Sequence, residues 1–314
     1  MIRVDKRFTA LKAGLAFLLV ALLATGCARK GADHASFDSA DAAVSALVAA
    51  LEKDDTARLR QLLGPDSEDV LSSGDTVQDR NDRADFVAAY RQGHSLVPDG
   101  DDTMVLVIGA RQWPFAIPLT RRDGRWVLDG AKGADELVYR RIGSNELGAI
   151  AVCRGFVNAQ NDYASVGRDG DRAGIYALKL ISDEGLHNGL YWPTGEDESP
   201  SPAGPFVAAA AGEGYRAGGR MPYHGYYYRM LYAQGSNANG GARGYFADGL
   251  LTQGFALVAW PADYQVSGVM TFIVDQDGVV FQKDLGEDTA AAVQKIEVFD
   301  PDSSWVAVTD AGNG

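Results

Sequence analysis

The residue types that most often do chemistry are sparse here. Four histidines stand at positions 34, 94, 187 and 224, and no two fall within the i to i+4 spacing by which one helix or strand presents a pair of metal ligands. A zinc site would have to be assembled across the fold, and no metal or other cofactor is expected. His224 has the most suggestive surroundings, Tyr223-His224-Gly225-Tyr226-Tyr227-Tyr228. On a strand, Tyr226 and Tyr228 share one face and Tyr227 takes the other. Tyrosine offers a flat apolar ring with a polar tip, so Trp192, Tyr223, His224, Tyr226 and Tyr228 form a candidate groove for a sugar ring or a peptide. The plainer reading is that tyrosines favour half-buried strands.

Other constellations fall short of a reaction. Asp169-Gly170-Asp171 has the opening spacing of a calcium loop, but an EF-hand needs a bidentate Glu at its twelfth position, and that position is Leu180. A looser oxygen cage is the minor reading there and a polar turn the default. Carboxylates occur in runs (Asp54-Asp55, Asp101-Asp102, Glu196 to Glu198), and glycoside chemistry needs two of them facing each other across a cleft, which adjacency in sequence does not supply. No Gly-x-Ser-x-Gly elbow occurs, and Ser72-Ser73-Gly74 sits in a polar loop without a base. Cys153 lies in the apolar run Ala149 to Val157 and reads as a buried, inert thiol. Gly235 to Gly244 reads as a hairpin excursion rather than a phosphate loop.

The elements that would position these residues are legible in part. Val44, Leu47, Val48 and Leu51 mark one helical face; Asp55 caps a second helix carrying Leu59, Leu62 and Leu63, closed by Gly64-Pro65; Arg83 to His94 predicts a third. Strands are expected at Met104 to Ile108, Phe115 to Leu119 and Arg125 to Asp129. A helical region from Ala134 to Tyr163, interrupted near Gly143 with Ser144 as N-cap, joins this to a second half. Gly195 to Pro205 reads as a surface loop. Strands follow at Tyr226 to Tyr232, Gly254 to Trp260, Val269 to Val274 and Val279 to Gln282, with Asp277-Gly278 as the hairpin turn between the last two. The order is α+β: a helical N-terminal region with a short antiparallel meander over residues 39–133, then a long helix and a larger antiparallel sheet over residues 134–310.

Composition and the N-terminus bound the function class. The 314 residues are 46% hydrophobic and 23% charged, which is globular, and the formal charge is −13. Arg3, Lys6, Arg7 and Lys12 against Asp5 give the first 26 residues +3, so removing them leaves −16. So acidic a body repels phosphate backbones and anionic headgroups, and nucleic acid is not an expected partner. After the basic segment comes an apolar run, Ala13 to Ala24, too short to cross a bilayer. It predicts a signal peptide over residues 1–26. Thr25 and Gly26 before Cys27 resemble the bacterial lipobox, which implies cleavage ahead of Cys27, acylation of that residue (diacylglycerol, then palmitate or a similar chain), and a polar tether over residues 27–38. Ala28, where an Asp would retain the chain at the inner membrane, favours the periplasmic face of the outer membrane.

Further segments carry a family resemblance: Leu71-Ser72-Ser73-Gly74-Asp75, Arg141 to Leu147, Gly189 to Pro193, Pro222 to Tyr228, Gly254 to Pro261, Ser267 to Phe272 and Gln282 to Gly286. Together with Trp113-Pro114-Phe115 they resemble a bacterial family known as domain of unknown function 2950. That resemblance implies an exported protein of one architecture and brings no activity, cofactor or catalytic residue. The opening helices are similar to cone-shaped domains of the nuclear transport factor two type, and the helix-then-sheet order of the second half resembles type IV pilin headpieces. The expected function is a non-catalytic envelope lipoprotein, tethered to the membrane and presenting a surface to another envelope protein or to peptidoglycan. The alternatives are an envelope hydrolase using His224 and the tyrosine cluster, and a pilin-like secretion component.

Overall fold

The computed structural model describes residues 34–64, 67–195, 200–215 and 221–309. The expected signal peptide and Cys27 lie outside the described residues. So does most of the expected tether, but its last residues are docked. His34 Nε2 lies 3.1 Å from the Leu62 carbonyl and 2.9 Å from that of Leu128, and Phe37 bridges to Trp126 through both backbone bonds. His34, Ala35 and Phe37, expected in the tether, are thus half-buried against the body.

The first helices form where capping residues precede apolar periodicity. Ser39 caps α1 (Ala40–Glu52) and Asp55 caps α2 (Thr56–Leu63); a short α3 (Glu68–Leu71) follows. Asp75 then caps α4 (Thr76–Gln92), accepting from Val77 N and Gln78 N. An antiparallel sheet comes next, of β1 (His94–Pro98), β2 (Thr103–Ile108), β3 (Trp113–Pro114), β4 (Leu119–Arg122) and β5 (Arg125–Leu128), ordered β1-β2-β4-β5 with β3 on β2. Leu47, Leu59, Leu62, Leu106, Leu119 and Leu128 make the core of this part.

One helix, α5 (Gly130–Ser165), then runs for 36 residues without a break. The interruption expected near Gly143 is absent: Gly143 lies on an open face where a Cβ would meet nothing within 4 Å, and Ser144 sits inside the helix, where it caps nothing. Glycine is needed instead at the start. A Cβ on Gly130 would lie 2.2 Å from the Leu63 carbonyl oxygen, and one on Gly133 would lie 2.3 Å from that of Ala116. The first turn of α5 thus seats backbone against backbone.

The second part contains the parallel pair β6 (Lys179–Ile181) and β7 (Gly189–Tyr191), then α6 (Gly204–Gly212), which starts where a surface loop is expected. Next come β8 (Tyr226–Leu231), the small hairpin partners β9 (Ala233–Gln234) with β10 (Arg243–Gly244) and β11 (Phe246–Ala247) with β12 (Leu250–Leu251), then β13 (Ala256–Pro261), β14 (Met270–Asp275), β15 (Phe281–Asp284), α7 (Thr289–Val293) and β16 (Val306–Ala307). The main sheet is antiparallel, ordered β16-β15-β14-β13-β8, so β8 is an edge strand. The hairpin turn before β15 falls at Asp277-Gly278, with Gly278 at φ 80° and its N–H on the Asp275 carbonyl. β13 and β14 are nearly continuous apolar runs because both faces are covered: α5 packs on them, and Phe156, Phe255, Leu257, Phe272 and Val274 share one core. The architecture is α+β, with a long helix and a larger antiparallel sheet. Among the described residues no helix is long and apolar enough to cross a membrane.

Candidate functional site

A cavity of about 750 Å³ opens beside the free edge of β8. α5 supplies Val152, Phe156 and Ala159, and α6 supplies Phe206, Val207 and Ala210. Tyr227 and Tyr228 both reach it from opposite faces of the sheet. Tyr227 lies beside Trp260, with ring centroids 5.7 Å apart. Tyr228 is deep enough that burial pushes its phenol well above the usual range, so it remains a neutral hydroxyl.

α6 is the unusual wall. Its sequence, Gly-Pro-Phe-Val-Ala-Ala-Ala-Ala-Gly, forms a helix because Pro205 fits the first turn and the alanines propagate it. A surface helix ordinarily pairs an apolar face with a polar one. This helix has no polar side chain, yet none of its residues is buried, and Phe206 is 43% exposed. It approaches α5 closely at Phe206: a Cβ on Gly155 would lie 2.3 Å from Phe206 Cζ.

At one end of the cavity a polar knot ties the two parts together. Asp75 is fully buried. Its Oδ1 accepts from Val77 N and Gln78 N, and its Oδ2 accepts from the Tyr215 hydroxyl at 2.7 Å and from Gly225 N at 3.1 Å. Burial, reinforced by the bond to Asp75, raises the Tyr215 phenol far above its ordinary value. Gln78 Nε2 donates to Asn145 Oδ1, and Asn145 Nδ2 donates to the Ser267 carbonyl. Gly225 has φ 72°, and a Cβ there would stand 2.4 Å from Asn145 Nδ2. Glu146 Oε1 accepts from Val269 N and Met270 N, both at 3.0 Å. Four of the segments that carry the family resemblance, widely separated along the chain, thus meet at one place.

His224 stands at the junction of knot and cavity. Its Nε2 is 3.0 Å from Glu213 Oε2, its ring stacks over Tyr215 at 6.2 Å and meets Tyr223 edge-on at 4.2 Å, and it is about one-third exposed. A neutral imidazole that donates Nε2–H to Glu213 leaves Nδ1 as the basic nitrogen. That atom lies against the backbone of α5, where a Cβ on Gly148 would be 3.6 Å from it. Among the described residues no serine, threonine or cysteine hydrogen-bonds to His224. The arrangement can orient a carboxylate, and it lacks a nucleophile.

The expected groove is thus partly assembled. Tyr223 and Tyr228 line the cavity and His224 adjoins it, but Trp192 and Tyr226 do not belong. Trp192 is buried elsewhere, edge-on to His187 at 4.6 Å and under the Arg168 guanidinium at 5.2 Å. Tyr226 is fully buried between α5 and the sheet, with its hydroxyl on the Met270 carbonyl. The even-numbered face of β8 turns into the core, which is why one of its tyrosines is structural. The Asp169 carboxylate, the candidate first ligand of a cation loop, is occupied by His187 through the backbone N–H at 2.7 Å and Nδ1 at 2.6 Å. Among the described residues no group of three His, Cys, Asp or Glu side chains could hold a metal ion. The Cys153 thiol is buried and pushed up to about 12 by that burial. Glu196 to Glu198 lie outside the described residues.

A second, smaller pocket of about 330 Å³ opens in the N-terminal part, floored by Leu47, Leu59, Leu63 and Phe86. Asp82 at its mouth is pushed up to about 6 by desolvation. Arg141 there donates to the Asp69 and Val70 carbonyls.

Sequence reading missed Tyr215, Arg229, Trp260 and the whole of α6. The run Phe206 to Ala211 between glycines was the available sign of the helix, and its lack of any polar face hid it.

No curated protein and no solved structure matches the chain. A family model described as a protein of unknown function, DUF2950, matches residues 34–308, from the docked His34 to the end of the main sheet. With nearly all of the described body inside that match, the chain belongs to the DUF2950 family.

Proposed function

We propose that this protein is a non-catalytic binding module of the bacterial cell envelope whose binding site is the cavity beneath α6. The observation that carries the reading is the pairing of a wholly apolar helix, none of whose residues is buried, with an aromatic-walled cavity of about 750 Å³. Pockets of that size with mostly apolar linings suit small guests, and apolar surface left against water at such a place gains free energy when a guest covers it. In this reading Cys27 holds the acidic body on the periplasmic side of a membrane through its acyl chains, with the outer membrane favoured by Ala28. Hydrocarbon burial at ~0.8 kcal/mol per methylene does what a body of this charge could not do by electrostatics.

Two measurements test it. An environment-sensitive apolar dye should brighten on the chain from residue 27 onward carrying Cys27→Ser, and Ala210→Trp, which puts an indole into the cavity, should weaken the signal. No dye binding to the unsubstituted cavity would end the reading. Labelled palmitate supplied to cells should enter the intact chain and not Cys27→Ser.

A second reading, an envelope hydrolase, draws on the His224–Glu213 pair beside the aromatic wall. It predicts ester or amide turnover lost by at least about a hundredfold in His224→Gln. Among the described residues no serine, threonine or cysteine hydrogen-bonds to His224, which places it below the binding module. A pilin-like role draws only on α5 lying across an antiparallel sheet, an arrangement common to many α+β folds, and is not pursued.

A further inference from the structure

The cavity wall has a charge pattern that its apolar character obscures. Among the described residues, the lining side chains carry a single formal charge, the guanidinium of Arg229, and no carboxylate. That is a departure for a body whose acids outnumber its bases so heavily. Arg229 forms no ion pair among the described residues. Its Nη2 donates to the Val293 and Ile296 carbonyls at 2.8 and 2.9 Å, which fix the group at the end of α7. Among the described residues Nη1 has no protein partner, and Nε is buried without one. A guanidinium is a planar fork suited to carboxylate and phosphate oxygens. Holding one at an apolar wall without a counter-charge is costly unless an anion joins it.

We propose that the cavity takes an amphiphile with one acyl chain and an anionic head, the head at Arg229 and the chain along Phe156, Leu190 and Phe206. This rests on the reading of the cavity as a binding site and adds the class of guest. Tyr223, Tyr227 and Tyr228 line the same cavity, and α6 covers the hydrocarbon. Because the chain is held by burial, affinity should rise about fourfold for each methylene added until the cavity is filled. Because the head is held by Arg229, an uncharged head of equal chain length should bind at least about tenfold more weakly.

The test uses the chain from residue 27 onward carrying Cys27→Ser, titrated calorimetrically with decanoate, dodecanoate, tetradecanoate, tetradecanol and tetradecanoyl lysophosphatidylglycerol. The expected result is chain-length-dependent binding of the acids and a tenfold or greater preference for tetradecanoate over the alcohol. Arg229→Gln should erase that preference while leaving alcohol binding in place, and Arg229→Lys should keep part of it. The melting temperature of each variant shows whether it is folded. Were Arg229→Gln to unfold, the same preference would be read on the unsubstituted chain as a loss of acid affinity, not alcohol affinity, in rising salt. Arg229-dependent binding of the free acid alone points to a fatty acid guest; equal or tighter Arg229-dependent binding of the lysophospholipid points to a lipid headgroup; both support the anionic class. Equal binding of alcohol and acid, unchanged in Arg229→Gln, would overturn the anionic guest and leave the binding module standing. Binding of no amphiphile, while an apolar dye still binds, would overturn this inference alone; failure of the dye as well would overturn both.

Discussion

The knot around Asp75 and the cavity beneath α6 lie side by side and follow opposite rules. In the knot every oxygen of a buried carboxylate has its donors, and glycine is required where Gly225 meets Asn145. In the cavity an apolar helix covers little, and among the described residues the Arg229 guanidinium hydrogen-bonds only to carbonyls. Tight polar satisfaction specifies one arrangement of two packed parts, while loose apolar covering leaves room for a guest. The segments that make the family recognisable fall on both: four of them meet at the knot, and Leu190, Tyr223, Tyr227, Tyr228, Leu257 and Trp260 carry others to the cavity wall.

The largest effect should come from breaking the knot. Asp75→Ala removes a helix cap and orphans both the Tyr215 hydroxyl and Gly225 N in a dry site. Lost caps cost about 1 kcal/mol and each unsatisfied buried group a further 1–3, so urea unfolding should show a loss of about 4 kcal/mol. Ala210→Trp on the cavity side should cost less than about 1 kcal/mol, because Ala210 is not buried. Equal losses from the two substitutions would erase the contrast between the regions.

A buried acid elsewhere, Asp275, sharpens it through pH. Asp275 is pushed up to about 6 by burial, although it accepts from Asp277 N and from Gln276 Nε2. Its pKa is higher folded than unfolded, so the folded chain holds this proton more tightly. The associated stability is complete below about pH 4 and is lost as pH rises through about 6. Asp82 in the smaller pocket acts in the same direction from a wetter position. Asp275→Asn should flatten the fall in stability between pH 4 and 7 by on the order of 2 kcal/mol, measured as urea midpoints across that range. An unchanged slope would mean that Asp275 titrates normally in the fold.

How much of this was legible follows from the kind of signal each element carries. The strands β13 and β14 and the Asp277-Gly278 turn are written locally, in apolar runs and one dipeptide. Tyr223 and Tyr228 were legible as aromatic wall, yet strand alternation alone does not say which face of an edge strand is core, so Tyr226 was grouped with them. α4 begins at Thr76 rather than at Arg83 because its first two turns, Thr76 to Arg83, are mostly polar and show almost no apolar period; only the Asp75 cap marks the start. β1 is exposed along almost its whole length and ends in Pro98, so it too lacks a pattern. The bond from Tyr215 to Asp75 spans 140 residues, and such a contact has no sequence signature at all. α6 shows the opposite failure: a helix apolar on every side has no periodicity to detect.

The smallest effect concerns His224, which sits on the border between the two regions and can be assigned to either. Its backbone is at φ 51°, where asparagine is tolerated and β-branched residues are not. Its side chain makes a partly exposed pair with Glu213, and such pairs contribute about 1 kcal/mol or less. His224→Asn, which accepts the backbone and loses the pair, should therefore cost under about 1 kcal/mol in urea unfolding. His224→Val, which loses the pair and also strains the backbone, should cost about 1–2 kcal/mol more than the asparagine variant. The difference between the two variants isolates the backbone, and the asparagine variant alone isolates the pair. A cost above about 3 kcal/mol for His224→Asn would place the histidine inside the knot, as a structural member whose ring is held by more than one exposed carboxylate.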